Sequence, residues 1–407
     1  MNRKILIGLL AATALCGCSK NEAVEPSTEA QTEAVEETIK PIIYSDLELY
    51  KTLTKESNEF VISPFLIKDS YTKLYHNADG SVKSDIAEAF NLNEETLDKL
   101  TKTKNSIANT KRITFVNDVL KNSQKVSELG EVIPDEEDSL ADTADEITTE
   151  TDTGIKLLSY ADDMTSTYQD ELSDETEYKV SFSLPSDFFM YKNKINIVNL
   201  MSFDLRFNYG IHTSMDENNE RAYTAMYGYE IPENLKELSQ DKISVLRLPY
   251  AKTDEDADQY AMYIISDIMP TENSKVDSFV SSLTKEAFDE LLNFNENAGP
   301  NCSEVSFDVP VVSQTSEFVI SGNMDELGLV SPFDDGITGL DGQRLNEIYN
   351  ATEFTMDVDD SGDGVEEKVS EDQAVIIQNF NVAGPYVYVV KDENTNEIIL
   401  MGKFLNN

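Results

Sequence analysis

Two spacings of apolar residues run through this chain. Between Ser45 and Lys55 (SDLELYKTLTK), Leu49, Tyr50 and Leu53 fall near one face of a helix. Phe60-Val61-Ile62 is a short apolar strand. Ser63-Pro64 then opens a second helix, serine offering an N-cap acceptor and proline suiting the first helical position. Ser84–Phe90 and Glu94–Thr103 read as further helices, and Ile113–Leu120 and Ile195–Met201 as strands. In the second half, strands at Ile243–Tyr250, Tyr260–Ile265 and Val305–Val312 surround a helical pair over Val276–Phe294. Gly322–Leu327 reads as helical and stops at Gly328. Glu353–Val358 alternates, with Phe354, Met356 and Val358 on one face. Two closing strands, Tyr386–Val390 and Ile398–Phe404, flank a polar hairpin turn over Lys391–Asn396. These elements predict an α+β domain with early helices and late strands, undivided by a Pro/Gly-rich linker.

Charge changes the picture. The chain of 407 residues has 32 Lys+Arg against 77 Asp+Glu, a formal net charge of -45. Such a chain repels phosphate backbones, which argues against a nucleic-acid partner. Glu131–Glu177 is the most acidic stretch, and Lys156 is its single cation. Within it, EVIPDEEDSLADTADEITTETD lacks any period and should be mobile, solvating the surface or docking a cationic partner. At the N-terminus, Asn2-Arg3-Lys4 precedes an apolar run, Ile5–Leu15, too short to span a bilayer but suited to a signal peptide. Leu15-Cys16-Gly17-Cys18 resembles a bacterial lipobox. That resemblance implies a signal peptide over 1–17, lipidation of Cys18, and an acidic tether over 18–40 leading to a domain over 41–407. The expected location is the extracellular face of a bacterial membrane, or an outer membrane, with lipid as the only membrane contact. Cys302 is then the remaining thiol, so no disulfide framework is expected.

Several strings resemble the serpin family. They are FVISP at Phe60–Pro64, Ser84–Asn93, VLRLPY at Val245–Tyr250, Ala261–Ile265 and LGLVSPFDDGITGLDG at Leu327–Gly342. FNVAGPYVYVV at Phe380–Val390 and TNEIILMGKFLN at Thr395–Asn406 complete the set. Asn199 and Phe203 also fit the family pattern, whereas Leu200, Met201 and the acidic middle depart from it. The resemblance implies the serpin fold: helices packed on a central mixed sheet, with an exposed reactive loop near the C-terminus. It implies a monomeric inhibitor of a serine protease, or secondarily a cysteine protease, and no cofactor. The protease cuts the loop, forms an acyl-enzyme, and is trapped as the cut loop enters the central sheet. Aligned to the family, the hinge falls on Ser361, Gly362, Asp363, Gly364 and Val365, and the reactive bond on Ala374-Val375. An alanine before the cut suits an elastase-like or subtilisin-like target.

The hinge is unusual. Period two places Ser361, Asp363, Val365, Glu367, Val369 and Glu371 on one face and Gly362, Gly364, Glu366, Lys368, Ser370 and Asp372 on the other, so insertion in either register buries carboxylates, each at several kcal/mol unless paired or protonated. The rival expectation is therefore a non-inhibitory serpin-fold binding module, or a protease substrate, on the cell surface. Asp357, Asp359, Ser361 and Asp363 loosely resemble a calcium loop, but Lys368 or Ser370 stands where the last carboxylate ligand belongs, so no metal site is assigned. His76 and His212 lie far apart and suit packing or surface positions. With no G-x-S-x-G, phosphate loop or H-E-x-x-H motif, no enzyme is expected.

Overall fold

The computed structural model describes residues 44–57, 59–123, 148–159, 163–207, 211–215, 220–224, 235–238, 243–250, 260–267, 276–293, 304–357, 377–382 and 384–405. The expected signal peptide, Cys18, the expected tether, Cys302, and residues 124–147, which include the first part of the acidic middle, lie outside them. So do Ser361, Gly362, Asp363, Gly364, Val365, Ala374 and Val375.

The chain opens with α1 (Asp46–Glu56), β1 (Phe60–Ile62), α2 (Pro64–Asn77), α3 (Gly80–Ala89) and α4 (Glu94–Asn109). The Ser63 hydroxyl accepts from the Leu66 N–H at 3.3 Å and donates to the Ile399 carbonyl at 2.8 Å, so the α2 cap is also stitched to the C-terminal strand. Helix α4 starts in a capping box between Asn93 and Thr96. Buried Phe65, Leu66, Ile67, Tyr71 and Leu74 place α2 between the sheets.

Three sheets follow. The first has the order β1-β16-β15-β10-β9-β8, with β8 at Leu235–Leu238, β9 at Ile243–Pro249 and β10 at Tyr260–Asp267. Its β15 (Tyr386–Asp392) and β16 (Glu397–Phe404) form the expected hairpin, buried over most of its length. Gly402 admits Tyr388 and the Phe60 carbonyl: a Cβ there would stand 2.4 Å from the tyrosine ring. The second sheet has the order β14-β11-β7-β6, with β6 at Ile211–Met215, β7 at Glu220–Thr224, β11 at Glu304–Pro310 and β14 at Ile377–Asn381.

The central sheet has the order β12-β13-β5-β2-β4-β3. It is built from β2 (Ile113–Asn122), β3 (Thr148–Glu150), β4 (Ile155–Leu158), β5 (Lys194–Phe203), β12 (Ser313–Val319) and β13 (Arg344–Thr355). It is mixed, as expected: β13 runs parallel to β5 and β2 parallel to β4, whereas β12–β13, β5–β2 and β4–β3 are antiparallel.

The expected helical pair is present as two short helices, α6 (Val276–Ser282) and α7 (Lys285–Leu291). Two other readings are corrected. The helix expected over Gly322–Leu327 is a 3-10 turn at Ile320–Asn323. It gives way to a turn closing at Gly328, whose φ of +70° is left-handed, and α8 (Ser331–Asp334) follows. The acidic middle is not merely a solvated insertion. Its latter part supplies β3, β4 and a helix α5 (Met164–Glu175) with buried Met164, Tyr168 and Leu172.

Candidate functional site: the seam of the central sheet

The expected loop spans the interval between β13 and β14. The reactive bond and hinge residues lie outside the described residues, so the site is built from its fixed frame. β13 meets β5 directly, from Arg344 opposite Lys194 to Phe354 opposite Phe203, with a register shift between Leu345 and Glu347. This parallel junction is a seam with two unlike faces. Inward, Ile195, Ile197, Leu345 and Ile348 join the main core, while Met201, Phe203, Phe354 and Met356 join a second cluster. Outward, Val198, Leu200, Tyr349 and Ala351 pack under α5.

A polar lock interrupts the inward face. Asn199 Nδ2 donates across the seam to Asn350 Oδ1 at 3.0 Å. Behind it, Asn199 Oδ1 accepts from Ser70 Oγ at 2.9 Å and from Asn117 Nδ2 at 2.8 Å. Asn117 Nδ2 also reaches the Leu66 carbonyl and Ser70 Oγ, both at 2.8 Å. Helix α2, β2, β5 and β13 are thus joined by four small polar side chains. Among the described residues the network is incomplete: Asn117 Oδ1 and Asn350 Nδ2 have no hydrogen-bond partner, and neither do Glu347 Oε2 on β13 or either amide atom of Gln343 just before it. Burial, and then Asp187, push the Glu347 carboxyl above its ordinary value. A buried polar atom left unpaired costs roughly 1–3 kcal/mol, so these are the places where a new hydrogen-bond partner would stabilise most.

An ionic clamp closes the end nearest the loop. Asp357 forms a parallel bridge with Arg206. Its Oδ2 lies 2.5 Å from Arg112 Nη2 and 3.4 Å from Arg206 Nε. Arg112 also donates to both carboxylate oxygens of Asp204, at 3.3 and 3.2 Å. Burial opposes the charge on Arg112, but Asp204 and then Asp357 outweigh it and raise its pKa. The clamp ties the end of β13 to residues flanking β5 and β2. It also commits Asp357, the first residue of the loose calcium-loop match, to arginine. Among the described residues, no three His, Cys, Asp or Glu side chains gather for a metal. His76 is exposed against the Tyr75 ring, and His212 lies on β6.

Sequence reasoning marked Asn199 and Phe203 but missed the lock and the clamp. Their partners Ser70, Asn117, Arg112 and Asp204 come from other elements, and no local pattern announces them.

A search of the curated proteins finds no match. Among solved structures, the fold is similar to a serpin of Manduca sexta, serpin-12, at 15% identity and TM-score 0.63, covering 88% of this chain and 96% of that one. It is similar to maspin at 14% identity and TM-score 0.64, covering 88% and 95%. It is also similar to native protease nexin-1, solved with heparin, at 13% identity and TM-score 0.62, covering 89% and 96%. The family model for serpins, serine protease inhibitors, matches residues 46–407. This chain belongs to the serpin family.

Proposed function

We propose that this chain is a lipid-anchored inhibitor of serine proteases on a bacterial cell surface, with Cys18 as the lipidated residue and Ala374-Val375 as the bait bond. In this reading the protease's serine attacks the Ala374 carbonyl. The bond to the Val375 nitrogen breaks, and the enzyme is left esterified to the loop. The segment from Ser361 onward then enters the seam. The observation that carries the reading is the direct parallel pairing of β13 with β5. A strand that follows β13 by a reversal runs opposite to it. Placed in the seam, it is antiparallel to both neighbours and replaces one parallel junction by two antiparallel ones, the more stable pairing. The sheet must widen by about 4.8 Å, one strand spacing, which breaks the Asn199–Asn350 bond and the Asp357 clamp.

The charged hinge favours a second reading, a serpin-fold binding module that is cut without trapping. Asp363, Glu367 and Glu371 would accompany the insertion. Amide side chains at the seam temper that objection. Asn199, Asn350 and Asn117 offer donors to an incoming carboxylate, and Asn350 Nδ2 has no partner among the described residues. One experiment separates the readings. The mature chain, residues 19–407, is incubated with elastase-, subtilisin- and trypsin-like proteases, followed by denaturing gels, mass spectrometry of the cut and melting of the product. Trapping gives a covalent complex that survives denaturation, a cut at Ala374-Val375 and a raised Tm. Cleavage with neither complex nor rise in Tm sinks the inhibitory reading and leaves the binding module.

A further inference from the structure

With 77 Asp+Glu against 32 Lys+Arg, most cations of this chain have a carboxylate within reach. Lys68, Arg112, Lys121, Lys156 and Arg247 each meet one at 2.5–2.9 Å. The foot of the seam breaks this habit. Lys194 opens β5, Arg344 opens β13, and the parallel register sets the two directly opposite each other. Among the described residues, neither has an ion-pair partner. Lys194 Nζ lies over the Tyr191 ring, 5.0 Å from its centroid. Asp341, just before β13, is already committed to Lys121 at 2.8 Å. Ile195 and Leu345, the next pair up, enter the main core, so alternation puts Lys194 and Arg344 together on the opposite face. Arg344 is exposed there and Lys194 half-buried. Like charges facing each other across neighbouring strands repel, so the closed seam is under electrostatic load at this end.

The insertion reading brings one particular group to this place. Its strand starts at Ser361, and the β13 side of the seam ends with Asp357 bridged to Arg206. Ala374 lies thirteen positions beyond Ser361, and Arg344 lies thirteen positions before Asp357. A strand that reverses after Asp357 and runs down the seam therefore brings Ala374 opposite Arg344. Counted down β5 from Arg206, the same thirteen steps end at Asn193, next to Lys194. Both counts finish at the foot. Cleavage turns Ala374 into a chain end. When water attacks the acyl ester, one of its protons returns to the serine oxygen, the other goes to solvent, and Ala374 keeps a carboxylate.

We infer that Lys194 and Arg344 form an anion receptor at the foot of the seam, and that its ligand is the terminal carboxylate of Ala374 in the cut chain. The inference deepens the insertion reading and rests on it. Entry of a strand moves the pair from about 4.8 Å apart to about twice that spacing. A carboxylate set between the two cations replaces their repulsion by two attractions. Arginine supplies paired N–H donors and lysine a compact charge. The arrangement answers the charged hinge: carboxylates that oppose entry of the strand near its start are offset by cations waiting at its end. An ester at Ala374 carries no charge, so the pair holds the released chain end more firmly than the trapped one.

Two N-acetylated peptides of residues 361–374, one ending in a free carboxylate and one in an amide, test this on the mature chain, residues 19–407. At about 20 mM NaCl the carboxylate peptide should dissociate about tenfold more slowly, read by native mass spectrometry of the complex over time, and about 0.5 M NaCl should shrink the difference. Lys194→Gln with Arg344→Gln should release both peptides alike, at the rate the parent shows for the amide form. Equal release of the two peptides by the parent overturns the inference. A second readout needs no peptide. In the uncut chain, Arg344→Gln relieves the repulsion and should slow hydrogen exchange at the start of β5 and β13 by roughly two- to fivefold at low salt, with exchange in β15 and β16 unchanged as the control for folding. Unchanged exchange at the foot overturns the inference as well. Uptake of neither peptide removes the seam as the insertion site and the carboxylate ligand with it. Slowed exchange in Arg344→Gln then locates that failure in the insertion reading rather than in the facing cations.

Discussion

Two glutamates show how single side chains set the response of this molecule to pH. Glu393, in the turn between β15 and β16, accepts from Arg247 at 2.6 and 2.5 Å and from the Tyr263 hydroxyl at 2.6 Å. Burial would raise its pKa, but Arg247 and Tyr263 outweigh burial and hold it below the ordinary value of 4.5. Its contribution is therefore present above pH 4.5 and lost as pH falls through the depressed value. Glu347 is the reverse: burial and Asp187 raise it. Its protonated form fits the fold, so its contribution is complete below 4.5 and is lost as pH rises through the elevated value. Glu347→Gln should accordingly raise Tm at pH 7 and leave it little changed at pH 4. Arg247→Met abandons a buried carboxylate and should cost about 3–5 kcal/mol at pH 7, less at pH 3. Melting curves at three pH values for the parent and both variants check each sign. A stabilised Arg247→Met, or a destabilised Glu347→Gln at pH 7, would contradict these assignments.

At the scale of elements, the seam behaves as one coupled unit. Removing Asn199 orphans Asn350 Oδ1 and takes the acceptor from Ser70 and Asn117, so Asn199→Ala should cost about 2–3 kcal/mol in denaturant unfolding. Asn350→Ala should cost less, because that residue already holds an unpartnered Nδ2. The double variant should fall short of the sum, since each single change damages the same bond. Additive losses would mean the Asn199–Asn350 bond contributes nothing across the seam. Sequence made the strands of this unit legible because their apolar residues recur at period two or in runs, as in Ile195–Met201. It made the α2 start legible because Ser63-Pro64 is a local signal. It did not reveal α5: Met164, Tyr168 and Leu172 form a stripe only one residue wide in an acidic background, and that stripe is apolar enough only because β2 and β5 lie beneath it. Nor did it reveal the clamp, where Arg112, Asp204 and Asp357 come from three separate stretches of chain. The hinge and bait bond rest on family alignment alone, since their composition departs from what insertion into an apolar sheet demands.

For the whole molecule, the net charge of -45 opposes compaction, while the clamp at the end of the seam is an attraction between opposite charges. Salt acts on the two in opposite directions. Screening weakens the long-range repulsion among the carboxylates, so the fold as a whole should gain stability as ionic strength rises. The clamp is partly exposed, with Asp357 at 23% and Arg112 at 35% of full side-chain exposure, so salt reaches it and weakens it. Between about 20 mM and 0.5 M NaCl, where the Debye length contracts to a few ångströms, Tm should therefore rise while exchange protection along β5 and β13 falls. Asp357→Asn should abolish most of the salt dependence of seam protection and leave that of Tm intact. If protection and Tm rise together in the parent, the clamp is not what closes the seam and the amide lock must carry the closure alone. If they diverge, global stability and readiness to open are set by separate electrostatic systems, and a very acidic serpin fold can be robust while its central sheet stays close to parting.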